Sequence, residues 1–330
     1  MHYAVILKLR AEKEADMPEK IYDRDKTDLI IPVYRPDDKL WSLLDMIDRQ
    51  TSHINNIYIM QTLTDDDEVD KELSDRLMGR GAIVTTLHKK TYDHGGTRNK
   101  GASLSSAGHI LFMTQDAVPK DEYLVERLLE ALSQEGVATA YARQLATDEA
   151  GPIESYTRVF NYPEESSIKS KEDVEKIGIK AYFCSNVCAM YDHEVYDEIG
   201  GFVRHTIFNE DSIMAAKTIE AGYSIAYAAS AEVYHAHKYT FRQYFSRNFD
   251  LAVSQKQYSE IFDMVSSESE GVKLVMKTAK HLTDTDRWYL LPELVIGSGC
   301  KYAGYFLGKR YRSLPKEVTR ALSMNKAYWK

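Results

Sequence analysis

From Asp28 to Tyr141 the chain alternates short apolar runs with segments of helical spacing, and nothing else in it constrains the fold as much. Strands are predicted over Asp28–Val33, Ile57–Met60, Ala82–Leu87, His109–Met113 and Val137–Tyr141. Helices are predicted over Lys39–Asp48, Glu68–Met78, Thr97–Ala107 and Asp121–Leu132. Apolar strands separated by single helices build a mostly parallel sheet covered on both faces, an α/β fold. Ligands of such sheets bind beyond the carboxyl ends of the strands. The chemically interesting residues fall there: Tyr34 after the first strand, His94 and Gly95 after the third, Asp116 after the fourth.

Two of these segments make a nucleotide-diphosphate site the leading expectation. Tyr92-Asp93-His94-Gly95-Gly96-Thr97-Arg98-Asn99 puts two glycines and a guanidinium at a helix start, where backbone N–H groups favour an anion. Leu111-Phe112-Met113-Thr114-Gln115-Asp116 then delivers one carboxylate to a strand end, where a hard divalent cation is held against phosphate. Further on, Asn209-Glu210-Asp211 reads either as a helix cap with acidic first-turn residues or as carboxylates aimed into the cleft as a general base. His235 and His237 share one face of an extended segment, and read as packed residues or as a metal or phosphate pair. The run Asp65–Asp67 reads as a solvated loop entering a helix.

The second half is less regular. Glu149–Lys180 reads as a long polar connection, Ala181–Met190 as a strand, Glu194–Ile199 as a short helix and Tyr223–Tyr234 as a strand; beyond about Phe241 the chain is mainly helical. Asn209 or Asp211 is expected to cap a helix running to about Ala221. The expected organisation is a catalytic domain over residues 1–240, with a nucleotide-binding half at about 27–145 and an acceptor half at about 146–240. A helical C-terminal region follows over 241–330.

Composition narrows the function. Fifty acidic against 42 basic side chains give a net charge of −8, which argues against broad nucleic-acid binding. Cys184, Cys188 and Cys300 form neither a disulfide framework nor a zinc signature, and fit buried thiols in a reducing compartment. Met1–Leu9 is too short an apolar stretch for a secretory signal, and Trp288–Ile296 is broken by Pro292 and Glu293, far short of the roughly 20 residues of a membrane span. A cytoplasmic location is expected, with the inner membrane surface as a further option. Between Lys301 and Lys330 there are eight Lys or Arg and one Glu, with Trp288, Leu291, Val295, Tyr302 and Tyr305 near one helical stripe. That pattern suits either an anionic membrane surface or packing on the catalytic domain or a dimer mate.

The His-Gly-Gly-Thr-Arg-Asn-x-Gly and Thr-Gln-Asp-Ala segments, taken with Ile30–Tyr34, Asn209-Glu210-Asp211 and His235-Ala236-His237, resemble those of bacterial family-2 inverting glycosyltransferases. The likeness is greatest to the rhamnosyltransferase branch that builds cell-surface polysaccharides, and it extends over roughly Asp28 to Asp250. It implies a GT-A-like domain and transfer of a sugar, with L-rhamnose from dTDP-rhamnose favoured, onto an oligosaccharide or lipid-linked acceptor. It assigns Asp211 as the base and Glu210 as the residue that orients the acceptor. Pro32, Tyr34, Thr62, Asp93, His94, Arg98, Gln115 and Asp116 would bind the nucleotide sugar, and Asp116 with His235 or His237 would hold Mg2+ or Mn2+. Where the family has two aspartates separated by one residue, this chain has Gln115-Asp116-Ala117, leaving one carboxylate for the metal. Another hexose donor (galactose, glucose or N-acetylhexosamine) is the alternative on the same scaffold, and a catalytically decayed membrane-associated binding subunit is a second. A nucleotidyltransferase would want a basic glycine-rich loop after the first strand, where Pro32–Pro36 contains no glycine.

Overall fold

The computed structural model describes residues 20–147, 149–263 and 268–329. The Met1–Leu9 reading lies outside them. In chain order the elements are β1 (Asp23–Val33), α1 (Asp38–Ile47), β2 (Asn56–Thr62), α2 (Asp67–Gly79), β3 (Ile83–Leu87), α3 (His94–Leu104) and β4 (Ala107–Met113). Then come β5 (Val118–Pro119), α4 (Leu124–Leu132), β6 (Val137–Leu145), α5 (Pro152–Asn161), β7 (Ser167–Lys169), α6 (Lys171–Ile177), β8 (Cys188–Asp192), α7 (His193–Glu198), α8 (Glu210–Glu220) and β9 (Ser224–Tyr234). The rest is helical: α9 (Phe241–Gln257), α10 (Ser259–Phe262), α11 (Glu268–Asp284), α12 (Leu291–Gly308) and α13 (Lys316–Leu322).

One sheet runs in the order β3-β2-β1-β4-β8-β6-β9-β5, with β7 added beside β9. Strands β1 to β4 pair in parallel, whereas β8 is antiparallel to both β4 and β6. Side chains alternate across the pleat, and β1 shows the result. Leu29, Ile31 and Val33 face one core with the apolar stripes of α1 and α4, while Ile30 faces the other with Met214, Ala215 and Ile219 of α8. Leu29, Ile30 and Ile31 are fully buried, each contributing about 1.5–3 kcal/mol. The two covered faces explain why the strands read as continuous apolar runs.

Several expectations change. The helix expected from Thr97 starts at His94, because Asp93 caps it by accepting the Gly96 N–H at 2.6 Å, and it ends at Leu104 rather than Ala107. Glu149–Lys180 is not one long connection: it holds α5, β7 and α6, the last closed by a capping box between Ser170 and Asp173. Only the end of Ala181–Met190 is strand; Gly178–Tyr182 is a 3-10 turn, and pairing starts at Cys188. Asn209 does precede α8, but with a left-handed φ of 63° and its side chain donating to the Leu251 carbonyl at 3.2 Å instead of capping the helix.

In the C-terminal region α12 crosses α9 at close range. A Cβ at Gly304 would lie 2.1 Å from the Phe245 carbonyl oxygen, and one at Gly308 would lie 2.3 Å from that of Phe249. Leu294, Gly297, Gly304 and Gly308 form the buried face. The stripe expected to be continuous is therefore divided: Tyr305 turns inward, its hydroxyl donating to Gln255 at 3.0 Å, while Trp288, Val295 and Tyr302 remain exposed. Among the described residues no helix is long and apolar enough to cross a membrane.

Candidate active site

A cleft of about 580 Å³ opens at the carboxyl ends of the parallel strands. Tyr34, Thr62, His94, Arg98, Glu210, Asp211, His235 and His237 line it, together with Asn186, Arg247, Asp250, Met324 and Asn325, which the motifs did not indicate. Pro32, Asp93, Gln115 and Asp116 are not lining residues. Pro32 pairs with Met60 inside the sheet. The Gln115 amide spans the Tyr34 backbone, accepting its N–H at 2.8 Å and donating to its carbonyl at 3.1 Å. Gln115 thus fixes the turn after β1. The Tyr34 hydroxyl accepts from Lys89 Nζ at 2.8 Å.

The glycine-rich segment serves chiefly as a clamp for the chain that carries the two carboxylates. A Cβ on Gly95 would stand 2.0 Å from the Val203 carbonyl oxygen, so only glycine permits this approach. Asn99 accepts the Phe202 N–H at 2.9 Å and donates to its carbonyl at 2.8 Å. Asp93, besides capping α3, accepts the His205 N–H at 3.0 Å. Arg98 is almost wholly buried and donates to Glu210 at 3.2 Å and to the His94 carbonyl at 3.1 Å. Asp93 thus takes up one N–H of the helix end, and Glu210 engages Arg98.

Glu210 and Asp211 open α8 side by side in a buried setting. Burial pushes Glu210 upward, but the charges of His94 and Arg98 outweigh it and hold the carboxyl below its usual range. Asp211 goes the other way. Burial and the Glu210 charge push it up to about 7, against the Ser212 N–H that its Oδ1 accepts at 2.7 Å. Two adjacent carboxyls thus have divergent proton affinities, one fixed as a carboxylate and one poised near neutrality. Asp211 can take a proton from a hydroxyl in this cleft.

Across the cleft, Asp116, His235 and His237 converge, with ligand atoms all within 4.8 Å of one another. His235 Nε2 lies 3.6 Å from one Asp116 oxygen and His237 Nε2 3.4 Å from the other. His235 Nδ1 meets Gln144 Oε1 at 3.0 Å, which turns Nε2 toward the carboxylate. Burial lowers the proton affinity of both imidazoles, and for His235 its neighbour His237 adds to the effect. Neutral imidazoles beside a carboxylate, oriented by an outer hydrogen bond, fit a divalent cation.

Arg247 enters from α9 with its guanidinium over Phe208 at 4.6 Å and Tyr239 at 5.4 Å, and among the described residues no carboxylate pairs with it. Thr62 Oγ1, Thr114 Oγ1 and Asn186 Nδ2 are buried at the cleft without a hydrogen-bond partner among the described residues. Such groups are costly unless a ligand satisfies them. The sequence offered no strong signal for Arg247, since a single arginine on a polar helix is ordinary.

Comparison with known proteins bears on the family and the fold. Residues 28–200 match the family described as glycosyl transferase family 2. The O-antigen chain rhamnosyltransferase RfbN of Salmonella typhimurium is 37% identical over 307 residues, covering 92% of this chain and 96% of its own. The O-antigen chain rhamnosyltransferase WbaN of Salmonella anatum is 35% identical over 304 residues, covering 91% and 95%. Among solved structures, the mannosyltransferase PcManGT from Pyrobaculum calidifontis, in complex with GDP-Man and Mn2+, superposes with a TM-score of 0.52 at 14% identity over 99% of this chain and 93% of that one. S. aureus TarS 1-349 in complex with UDP gives 0.51 at 12% identity over 87% and 91%. These likenesses show the fold: a GT-A-like domain with a helical C-terminal region.

Proposed function

The chain belongs to glycosyl transferase family 2, a family of glycosyltransferases, and from that premise we propose that it moves L-rhamnose from dTDP-rhamnose onto a growing, lipid-linked O-antigen-type saccharide with inversion at the anomeric carbon. The observation that supports this reading is that Asp211, a buried carboxyl pushed up to about 7, lines the same cleft as the His235 and His237 neighbours of Asp116. The rhamnose assignment is supported by two relatives whose names record that activity.

In the reaction an acceptor hydroxyl bonds to the anomeric carbon on the face opposite the diphosphate. Its proton passes to Asp211 and the bond to the nucleotide diphosphate breaks. Glu210, kept ionised by His94 and Arg98, holds no proton to give and is suited to accept a hydrogen bond from the acceptor. Asp116, His235 and His237 would hold Mg2+ or Mn2+, which when bound supplies positive charge to the leaving diphosphate. Arg247 is the side chain in the cleft best placed to add a guanidinium to that charge, since Arg98 is taken up by Glu210.

We also assign the enzyme to the inner membrane surface. Val295, Ile296, Tyr302 and Phe306 form an exposed face on α12, beside exposed Trp288 and Tyr289. The last thirty residues are basic in an acidic chain. A homodimer through α12 is the competing occupant of that face.

The test is release of nucleotide diphosphate from a panel of nucleotide sugars, with wild-type protein and Asp211→Asn. Acceptor-dependent release from dTDP-rhamnose that collapses in the variant is expected. Release from a different nucleotide sugar alone would reassign the donor, and no release from any would sink the transferase reading.

A further inference from the structure

The end of the chain returns to the cleft. After α13, residues Ser323–Trp329 form an irregular strap of which Met324, Asn325 and Ala327 line the same cleft as Glu210 and Asp211. The strap is fastened at two levels. Asp250 on α9, only 2% exposed, accepts the backbone N–H groups of Met324 at 2.9 Å and Asn325 at 3.1 Å. The Tyr328 hydroxyl exchanges hydrogen bonds with the Gln257 amide at 2.9 and 3.2 Å, and Tyr328 and Trp329 pack on the cluster of Ile207, Phe249 and Val253.

The same helix also holds the segment that leads into the base. Ser254 Oγ donates to the Phe208 carbonyl at 2.6 Å, and Leu251 receives the Asn209 amide. Strap and base are thus fastened to one stretch of α9 from Asp250 to Gln257. Burying a carboxylate is costly and is tolerated only where specific donors meet it. Here two backbone N–H groups of the irregular segment both meet Oδ2, while Oδ1 is buried without a hydrogen-bond partner among the described residues, so what Asp250 holds in place is the strap.

We propose that the strap forms a wall of the acceptor-saccharide subsite, with Asn325 and Met324 meeting the sugar that carries the attacking hydroxyl and Asp250 acting as the positioning residue. An amide offers both a donor and acceptors to sugar hydroxyls, and a thioether suits the C–H face of a pyranose. The assignment rests on the transferase reading above.

The experiment measures acceptor KM and kcat in full-length Asn325→Ala, Met324→Ala and Asp250→Ala, alongside the melting shift produced by nucleotide sugar alone. Either strap substitution is expected to raise acceptor KM about three- to tenfold, the size of one neutral contact, with the nucleotide-induced shift retained. Asp250→Ala should raise acceptor KM further, and Asp250→Asn, which keeps an acceptor oxygen, should recover part of it. Should Asp250→Ala fail to fold, the two strap variants still decide the matter. Unchanged acceptor KM in both overturns the proposal, as does a loss of the nucleotide-induced shift that matches the loss on acceptor. If wild-type protein itself shows neither nucleotide binding nor transfer, the transferase reading has failed instead.

Discussion

Arg98 Nη1 lies 3.2 Å from Glu210 Oε1 with both side chains largely buried, so the guanidinium of the glycine-rich segment is committed to a carboxylate beside the proposed base. Removing one member of a buried pair strands the other charge. Arg98→Met should therefore destabilise the fold by about 3–5 kcal/mol in denaturant titrations. It should also depress transfer, because an unpaired Glu210 would take up a proton and withdraw its influence on Asp211. Stability equal to wild type would show that the pair is of little consequence.

As the proposed base, Asp211 should set the pH dependence. With its carboxyl at about 7, turnover should rise with pH through neutrality as the base ionises, and this limb should vanish in Asp211→Asn. That variant should lose roughly 10²–10⁴-fold in kcat while keeping donor affinity.

The same shift has a stability consequence. A carboxyl whose folded value is raised contributes most when protonated, below its unfolded value near 4, and loses that contribution as pH rises through about 7. Asp211→Asn should accordingly melt higher than wild type at pH 8, with the difference shrinking toward pH 5. A lower melting point at pH 8 would mean that Asp211 is stabilising as the carboxylate, and the base assignment would lose its basis.

The alternation of strand and helix was legible because a sheet covered on both faces leaves uninterrupted apolar runs such as Leu29–Ile31. That His235 and His237 share a face followed from strand periodicity, whereas the approach of one of them to Asp116 was implied only by the family resemblance. What the glycine-rich segment does locally was not legible. The roles of Gly95 and Asn99 depend on Val203 and Phe202, about a hundred residues away, and no local pattern announces that contact. Arg247 and the strap were hidden for the same reason, since their meaning comes from what α9 packs against. The polar stretch Glu149–Lys180 was misread because its helices are short and hold no buried residue.

Asp116, His235 and His237 predict a metal requirement with its own pH sign. Both imidazoles are kept neutral by burial, so they are ready ligands at neutral pH, and only acidification beyond the ordinary imidazole range should weaken binding by protonating them. Mn2+ with nucleotide diphosphate should raise the melting temperature of wild type at pH 7.5. It should have little effect on Asp116→Ala, and His237→Ala should need at least tenfold more metal. Full activity in excess chelator would remove the metal from the mechanism.

Neutralising basic tail residues is a poor test of membrane contact, because Lys309 pairs with Asp263 at 3.5 Å and Arg310 lies 3.6 Å over Phe306. The exposed face of α12 is the cleaner probe. Val295 and Tyr302 are 66% and 65% exposed and lie two helical turns apart, so Val295→Asp with Tyr302→Asp changes the surface without touching the glycine face packed on α9. The double variant should lose binding to vesicles rich in anionic lipid, and transfer to a membrane-embedded acceptor should fall. Transfer to a short soluble acceptor should hold, since neither residue lines the cleft. If sedimentation instead shows wild type as a dimer and the double variant as a monomer, with vesicle binding absent in both, α12 is an interface between copies and the membrane assignment falls.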